Sequence, residues 1–298
     1  MPEVKKGDRI RYIVLSNLNI KEVVLMRLKK AALGGAILFL VLWLIILVKA
    51  YGSEVVQAIW LNPSSGQEFQ VKKMQDEFAR IVGNHTALEP EYFKTMTVDI
   101  AKLILDVEQP LESQYFVFVD RNPRRQVILT CFLNSQDKSI TLIGVDKVST
   151  GNEKRIGFFI TPCGVFINSI EFLGYRALGT KNDQGWCGLG VKNSRVWDFG
   201  WQKTYKKNEE ISIRLLMHAT DPYFGEKRLG RVDSKGCIRI SGKLNKFLDH
   251  YGLLDREYEA NKNKKTVAWL LKADRQPVAY AGKYLLIGDS GNYNEIQK

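Results

Sequence analysis

Two kinds of hydrophobic pattern divide this chain. Ala31 to Val48 runs eighteen residues without a charge or a polar face, and no other stretch resembles it. As a helix it would span about 27 Å, close to the roughly 30 Å hydrocarbon core of a bilayer. A buried core helix keeps a polar side, so the run predicts a transmembrane helix over 31–49. Beyond it, Pro63-Ser64-Ser65-Gly66 breaks the chain, and Val71, Met74, Phe78 and Ile81 then recur at helical spacing. A second helix is expected over about 91–107, with Ile100, Leu103, Ile104 and Val107 on one side. These two predict a helical juxtamembrane region, 50–112, acting as a stalk or cap.

From residue 115 the period changes. Tyr115-Phe116-Val117-Phe118-Val119 reads as a strand, Asp120-Arg121-Asn122-Pro123 as a turn, and Gln126 to Leu133 as the returning strand. Ser139 to Val145, Arg195-Val196-Trp197, Ile211 to Met217 and Val278 to Ile287 continue the pattern. A short helix is expected near 243–250, followed by a Lys/Asn-rich loop, Asn261 to Lys265. Strands and helices do not alternate, which rejects a doubly wound parallel sheet and leaves a mainly β, mostly antiparallel domain over 113–298. No internal repeat is present.

Charge orients the apolar run. Residues 1–30 hold eight Lys and Arg against three acids. The amino terminus, 1–30, is therefore expected to be a cytoplasmic basic segment, with the remaining chain on the far side. A cleaved signal peptide fits less well, because the leader is long and the run exceeds the usual roughly 7–15 residues, although Ala50-Tyr51-Gly52 offers a small-x-small site. The expected topology is a single pass through the cytoplasmic membrane with the domain outside. The chain carries a net charge of +12. That surplus suits an anionic partner, but no RNP-like run or zinc spacing supports nucleic acid. Asn84-His85-Thr86 is a glycosylation sequon only in a eukaryotic secretory route. No metal or organic cofactor is suggested.

The chemistry concentrates in Ser234-Lys235-Gly236-Cys237-Ile238-Arg239, with His218 nineteen residues before the cysteine. A thiol becomes a nucleophile when a base or positive field makes it a thiolate. His218 ends the apolar strand Ile213 to Met217 and would be the base. Backbone N–H groups at Gly236 and Cys237 would face an oxyanion. Arg239 offers a fork for a substrate carboxylate. Spacing alone leaves open a buried cysteine and a surface histidine. Cys131, Cys163 and Cys187 read as small buried thiols, with a Cys163–Cys187 disulfide as the alternative.

This ordered set resembles the catalytic signature of the L,D-transpeptidase family. His218, fifteen residues, then Ser234-Lys235-Gly236-Cys237-Ile238-Arg239 is similar to that family's His…Ser/Thr-His-Gly-Cys-hydrophobic-Arg/Asn. Ser149-Thr150-Gly151, Thr161-Pro162-Cys163-Gly164-Val165-Phe166, His218-Ala219-Thr220 and Leu229-Gly230 lie in matching order across about 115–245. The resemblance implies a β-sandwich or barrel that acylates its cysteine with a peptidoglycan stem peptide, releases D-alanine and passes the acyl group to an amine. It implies Cys237 as nucleophile, His218 as base, Gly236, Ser234 and Lys235 as oxyanion and loop support, and Arg239 and Thr220 at the substrate. Lys235 replaces the family's usual second histidine, and Ala219 a usual glycine.

Other readings compete. Cys131 is similar to a sortase strand cysteine but has no nearby downstream arginine. Asp198-Phe199-Gly200 echoes a kinase element without its companions. Trp186, Trp197, Phe199 and Trp201 form either a sugar or peptide groove or core. An L,D-carboxypeptidase or amidase using water as acceptor, and a decayed wall-binding protein, remain as alternative functions.

Overall fold

The computed structural model describes residues 63–83, 86, 88–107, 111–206 and 209–291. The apolar run at 31–48 and the sequon at 84–86 lie wholly or partly outside them. Among the described residues no helix is long and apolar enough to cross a membrane. The described residues from Glu68 onward form one compact unit.

Two helices come first, α1 (Pro63–Ile81) and α2 (Pro90–Val107). Nine strands follow: β1 (Gln114–Asp120), β2 (Val127–Leu133), β3 (Ile140–Lys147), β4 (Gly164–Ile167), β5 (Tyr175–Arg176), β6 (Arg195–Lys206), β7 (Glu209–Ala219), β8 (Ile238–Ile240) and β9 (Tyr284–Gly288). A 3-10 turn covers Glu226–Arg228, and α3 (Gly242–Tyr251), α4 (Arg256–Ala260) and α5 (Lys265–Ala268) separate β8 from β9. The strands form two sheets, ordered β3-β2-β1-β9-β4 and β5-β6-β7-β8. Most pairings are antiparallel; β1–β9 and β7–β8 are parallel. The domain is mainly β, as the period-two pattern implies.

One core joins the sheets. Tyr115, Val117 and Val119 of β1, Ile128 and Phe132 of β2, and Leu285 and Ile287 of β9 meet Trp197 and Phe199 of β6, Leu215 and Met217 of β7, and Ile238 and Ile240 of β8. The opposite face of the first sheet buries Phe116, Phe118, Leu129, Cys131 and Leu286 against Met96, Ile100 and Ile104 of α2. Being covered on both sides explains why β1 and β2 are continuous apolar runs rather than alternating ones.

Of the stalk or cap expected of these helices, the packing is that of a cover on the sheets. Met74 and Phe78 of α1 enter the inter-sheet core, where the Phe78 ring stacks edge-on to Phe247 of α3 at 5.2 Å. Gly144 makes room, since a Cβ there would sit 2.1 Å from the Phe78 ring. The boundary expected at 112/113 thus separates no two bodies, because the apolar stripes of both helices are spent on the sheets. The closing strand is also shorter than expected. Residues 278–283 bond across to other elements instead, with Val278 N–H on Tyr251 O at 3.0 Å and Gly282 N–H on Leu253 O at 2.8 Å.

Candidate active site

Parallel strands β7 and β8 set the site. Their register pairs Met217 with Ile238, His218 with Arg239, and Ala219 with Ile240. Met217, Ile238 and Ile240 point into the core. Alternation sends His218, Arg239 and Cys237 to the opposite, outer face of this sheet. Cys237 immediately precedes β8, which sets it diagonal to His218 across the β7–β8 pair. No hydrogen bond joins their side chains.

His218 is buried, and its Nδ1 lies 2.6 Å from Ala219 O. A carbonyl only accepts, so Nδ1 carries the proton and Nε2 keeps a free lone pair. Burial pushes the imidazole pKa down to about 4, with the Arg239 charge adding to that and the Ala219 carbonyl opposing it. The ring is therefore neutral near pH 7, as a general base must be. Cys237 is half-buried. Burial pushes its thiol pKa up, Asp198 pushes the same way, and the Leu216 N–H and the Arg239 guanidinium pull it down. The resting pair is a neutral thiol beside a neutral imidazole, not a preformed thiolate.

The Cys237 loop is held from three sides. Ser234 Oγ donates to Cys237 O at 2.5 Å and accepts the Gly236 N–H at 3.1 Å. Thr161 Oγ1 donates to Gly236 O at 2.8 Å and accepts the Gly151 N–H at 2.8 Å. Ser149 and Arg239 exchange both backbone bonds at 2.9 Å, and Gly151 bridges Ser234. Gly236 has φ +130, and a Cβ on it would meet Ile213 Cδ1 at 2.9 Å, so the turn needs glycine. Gly151 is as tightly placed: its Cβ would fall 1.9 Å from Phe159 O. The Ser-Thr-Gly and Thr-Pro segments noted in the sequence thus converge on the cysteine loop.

Oxyanion donation looks different from the expected pair. The Gly236 N–H is occupied by Ser234 Oγ, whereas the Cys237 N–H meets no acceptor among the described residues. Cys237 therefore offers both the sulfur and a free N–H on one residue. Ser234 stays a loop brace.

Lys235 is exposed and turns to the Phe158 ring, its Nζ 5.9 Å from the centroid. Thr220 is buried against the Gly225 turn. Asp233 engages Nη2 of Arg239, which reaches its Oδ2 at 2.6 Å and also bonds its carbonyl, while the buried Nε of Arg239 meets no partner. Asp233 binds two further guanidinium groups, Arg228 at 2.5 Å and Arg155 at 3.1 Å. Sequence reasoning missed this hub. Asp233 adjoins Ser234, but Arg155 is far away in sequence and is brought close by the backbone bonds that join 150–152 to 232–234.

Beyond Leu216, Asp198 of β6 lies on the same outer face and is clasped by Arg214 at 2.8 to 3.0 Å. Of the aromatic cluster, Trp197 and Phe199 are core, Trp201 is exposed, and Trp186 stacks on Phe224 at 5.6 Å. All four cysteines are free thiols, and Cys131 is buried in β2. Among the described residues no cluster of His, Cys, Asp and Glu is arranged to hold a metal. No family model matches this chain, and no curated protein matches it.

Proposed function

We propose that the chain is a membrane-anchored cysteine acyltransferase of the L,D-transpeptidase kind, acting on peptidoglycan stem peptides outside the cytoplasmic membrane. The observation that carries the reading is the β7–β8 pairing, which sets a neutral imidazole with a free Nε2 diagonal to a thiol whose own N–H is unengaged. The ordered Ser149-Thr150-Gly151, Thr161-Pro162, His218 and Ser234-to-Arg239 segments support the family resemblance, and the apolar run at 31–48 with its basic flank supports the location.

In this mechanism His218 Nε2 takes the Cys237 proton as sulfur attacks the carbonyl of the stem's diamino acid. The carbonyl oxygen gains negative charge and is met by the Cys237 N–H. Collapse expels the D-alanine amine, which receives the proton from the imidazolium, and leaves a thioester. An acceptor amine then repeats the sequence in reverse roles. A neutral starting pair means that charge separates only as the bond forms, within a face that burial keeps low in dielectric.

Intact mass spectrometry of the full chain with a carbapenem tests the reading. One adduct on Cys237, absent from Cys237→Ala, is expected; an intact thiol that never acylates would overturn it. Incubation with tetrapeptide stems then resolves the acceptor, since dimers cross-linked between diamino acids require transfer and tripeptide alone requires water.

A further inference from the structure

Asp233 is a buried carboxylate that receives three guanidinium groups, from Arg155 at 3.1 Å, Arg228 at 2.5 Å and Arg239 at 2.6 Å. One negative charge against three leaves the cluster with two unbalanced positive charges. Glu226, the acid nearest Arg228 in the chain, is turned to the Gly242 N–H at 2.8 Å. Arg155 and Arg228 each place one terminal nitrogen on Asp233, and their other N–H groups meet no acceptor among the described residues. Their side chains are 48% and 30% exposed, against 14% for Arg239. Each lies over an aromatic ring, Arg155 over Phe158 at 5.4 Å and Arg228 over Trp186 at 5.3 Å.

The cluster is also fastened to the nucleophile. Asp233 sits four residues before Cys237, Asn152 N–H bonds Ser234 O at 2.9 Å, and Arg239 is the cation that favours the Cys237 thiolate. Two half-open forks, pre-oriented by a shared acid and by aromatic rings, suit planar bidentate capture of a carboxylate.

We infer that Arg155 and Arg228, braced on Asp233, form a subsite for a substrate carboxylate beside Cys237. This rests on the stem-peptide reading above. Such a stem offers that chemistry from three sources: the terminal D-amino acid, the diamino acid and the γ-linked glutamate.

The test is a binding cycle on full-length Cys237→Ser, which needs no acylation. Titration calorimetry compares L-Ala-γ-D-Glu-diaminopimelate-D-Ala with three analogues, each having one carboxylate blocked as an amide. With both arginines present, one block should weaken binding about ten-fold or more; in Arg155→Gln/Arg228→Gln the same block should cost less than about two-fold. The block that shows this coupling identifies the source. If the arginine changes weaken acid and amides alike, if each block costs the same with and without the arginines, or if the tetrapeptide does not bind, the subsite is refuted. Carbapenem labelling of wild type is read separately. Labelling without coupling removes the subsite and keeps the acyltransferase; coupling without labelling keeps the subsite and removes the transfer reading.

Discussion

Asp255 and Asp233 are both buried carboxylates gripped by arginines, yet their surroundings differ. Asp255 takes Arg195 at 3.2 Å and Arg275 at 2.8 Å, all three side chains at most 4% exposed. Arg275 also reaches Glu259 at 2.7 Å, so two acids balance two bases. Arg195 lies over Tyr258 at 4.7 Å and Asn168 Nδ2 donates to Asp255 at 3.3 Å, while the buried Nε and Nη1 of Arg195 meet no hydrogen-bond acceptor. The result is a neutral, closed staple between β6 and the helices before β9. Asp233 is as buried, but its arginines outnumber it three to one and two of them open to solvent. Charge balance and exposure, not the identity of the paired groups, separate a fastening from a binding surface.

Breaking the closed hub should have the largest effect. Asp255→Ala leaves the buried Arg195 guanidinium facing no acid and Arg275 with Glu259 alone, which costs about 3–5 kcal/mol. Urea unfolding should show that loss, while carbapenem labelling of the molecules still folded stays at the wild-type level. Unchanged stability would mean the hub is not a staple, and the contrast with Asp233 would collapse.

A second effect of similar size tests the catalytic face by pH. His218 is held near pKa 4 when folded, against an ordinary 6.5. The unfolded chain therefore binds this proton more readily. Stability supplied by the neutral ring is full above pH 6.5 and falls as pH drops toward 4, by about 3 kcal/mol in all. From pH 7 to pH 4 the unfolding free energy read from urea titrations should fall about 3 kcal/mol less in His218→Asn than in wild type. An equal fall in both would show that His218 is not buried as a neutral base.

Asp233→Asn should have a smaller and different effect. Arg155 and Arg228 can hydrate, so the stability loss should be about 1–3 kcal/mol, below that of Asp255→Ala. Arg239, no longer countered by the carboxylate, then acts on the thiol with its full charge. Iodoacetamide should alkylate Cys237 several-fold faster at pH 8 in this variant, roughly half a pKa unit of acidification. The matching change at Asp255 should leave alkylation unaltered. Slower alkylation in Asp233→Asn would show that the hub's main role is to shape the loop.

The sequence made much of this legible, for reasons that can be named. Continuous apolar runs marked β1 and β2, and three-four spacing marked α1 and α2, because burial imposes those periods directly. That the helices would cover the sheets did not follow, since an amphipathic stripe says that a face is buried but not against what. The slot of β9, parallel to β1 and antiparallel to β4, depends on long-range pairing that no local pattern records. At the site, Cys237, His218 and Gly236 were readable from residue type and order. The role of Asp233 was not, because its meaning comes from Arg155, brought in by a backbone bridge. The occupied Gly236 N–H was hidden too, since it depends on where one serine hydroxyl turns.

Lys235 gives the smallest predicted effect and the sharpest check on what acts at the thiol. It stands where the resembling family has a histidine, which suggests a charge that supports the thiolate. Its ammonium instead sits over Phe158, at 5.9 Å on an exposed stretch. The groups that move the thiol are its own burial, the Leu216 N–H, the Arg239 guanidinium and Asp198. An exposed cation on a ring contributes about 0.5–1 kcal/mol at most, and water screens its reach. Lys235→Ala should therefore change unfolding stability by less than about 1 kcal/mol and the alkylation rate of Cys237 at pH 8 by less than about two-fold. Arg239→Gln, which removes a charge that the thiol does feel, should slow the same alkylation several-fold. If Lys235→Ala slows it as much as Arg239→Gln, the positive field at Cys237 comes from the lysine, and the arginine hub is not what sets the nucleophile's reactivity.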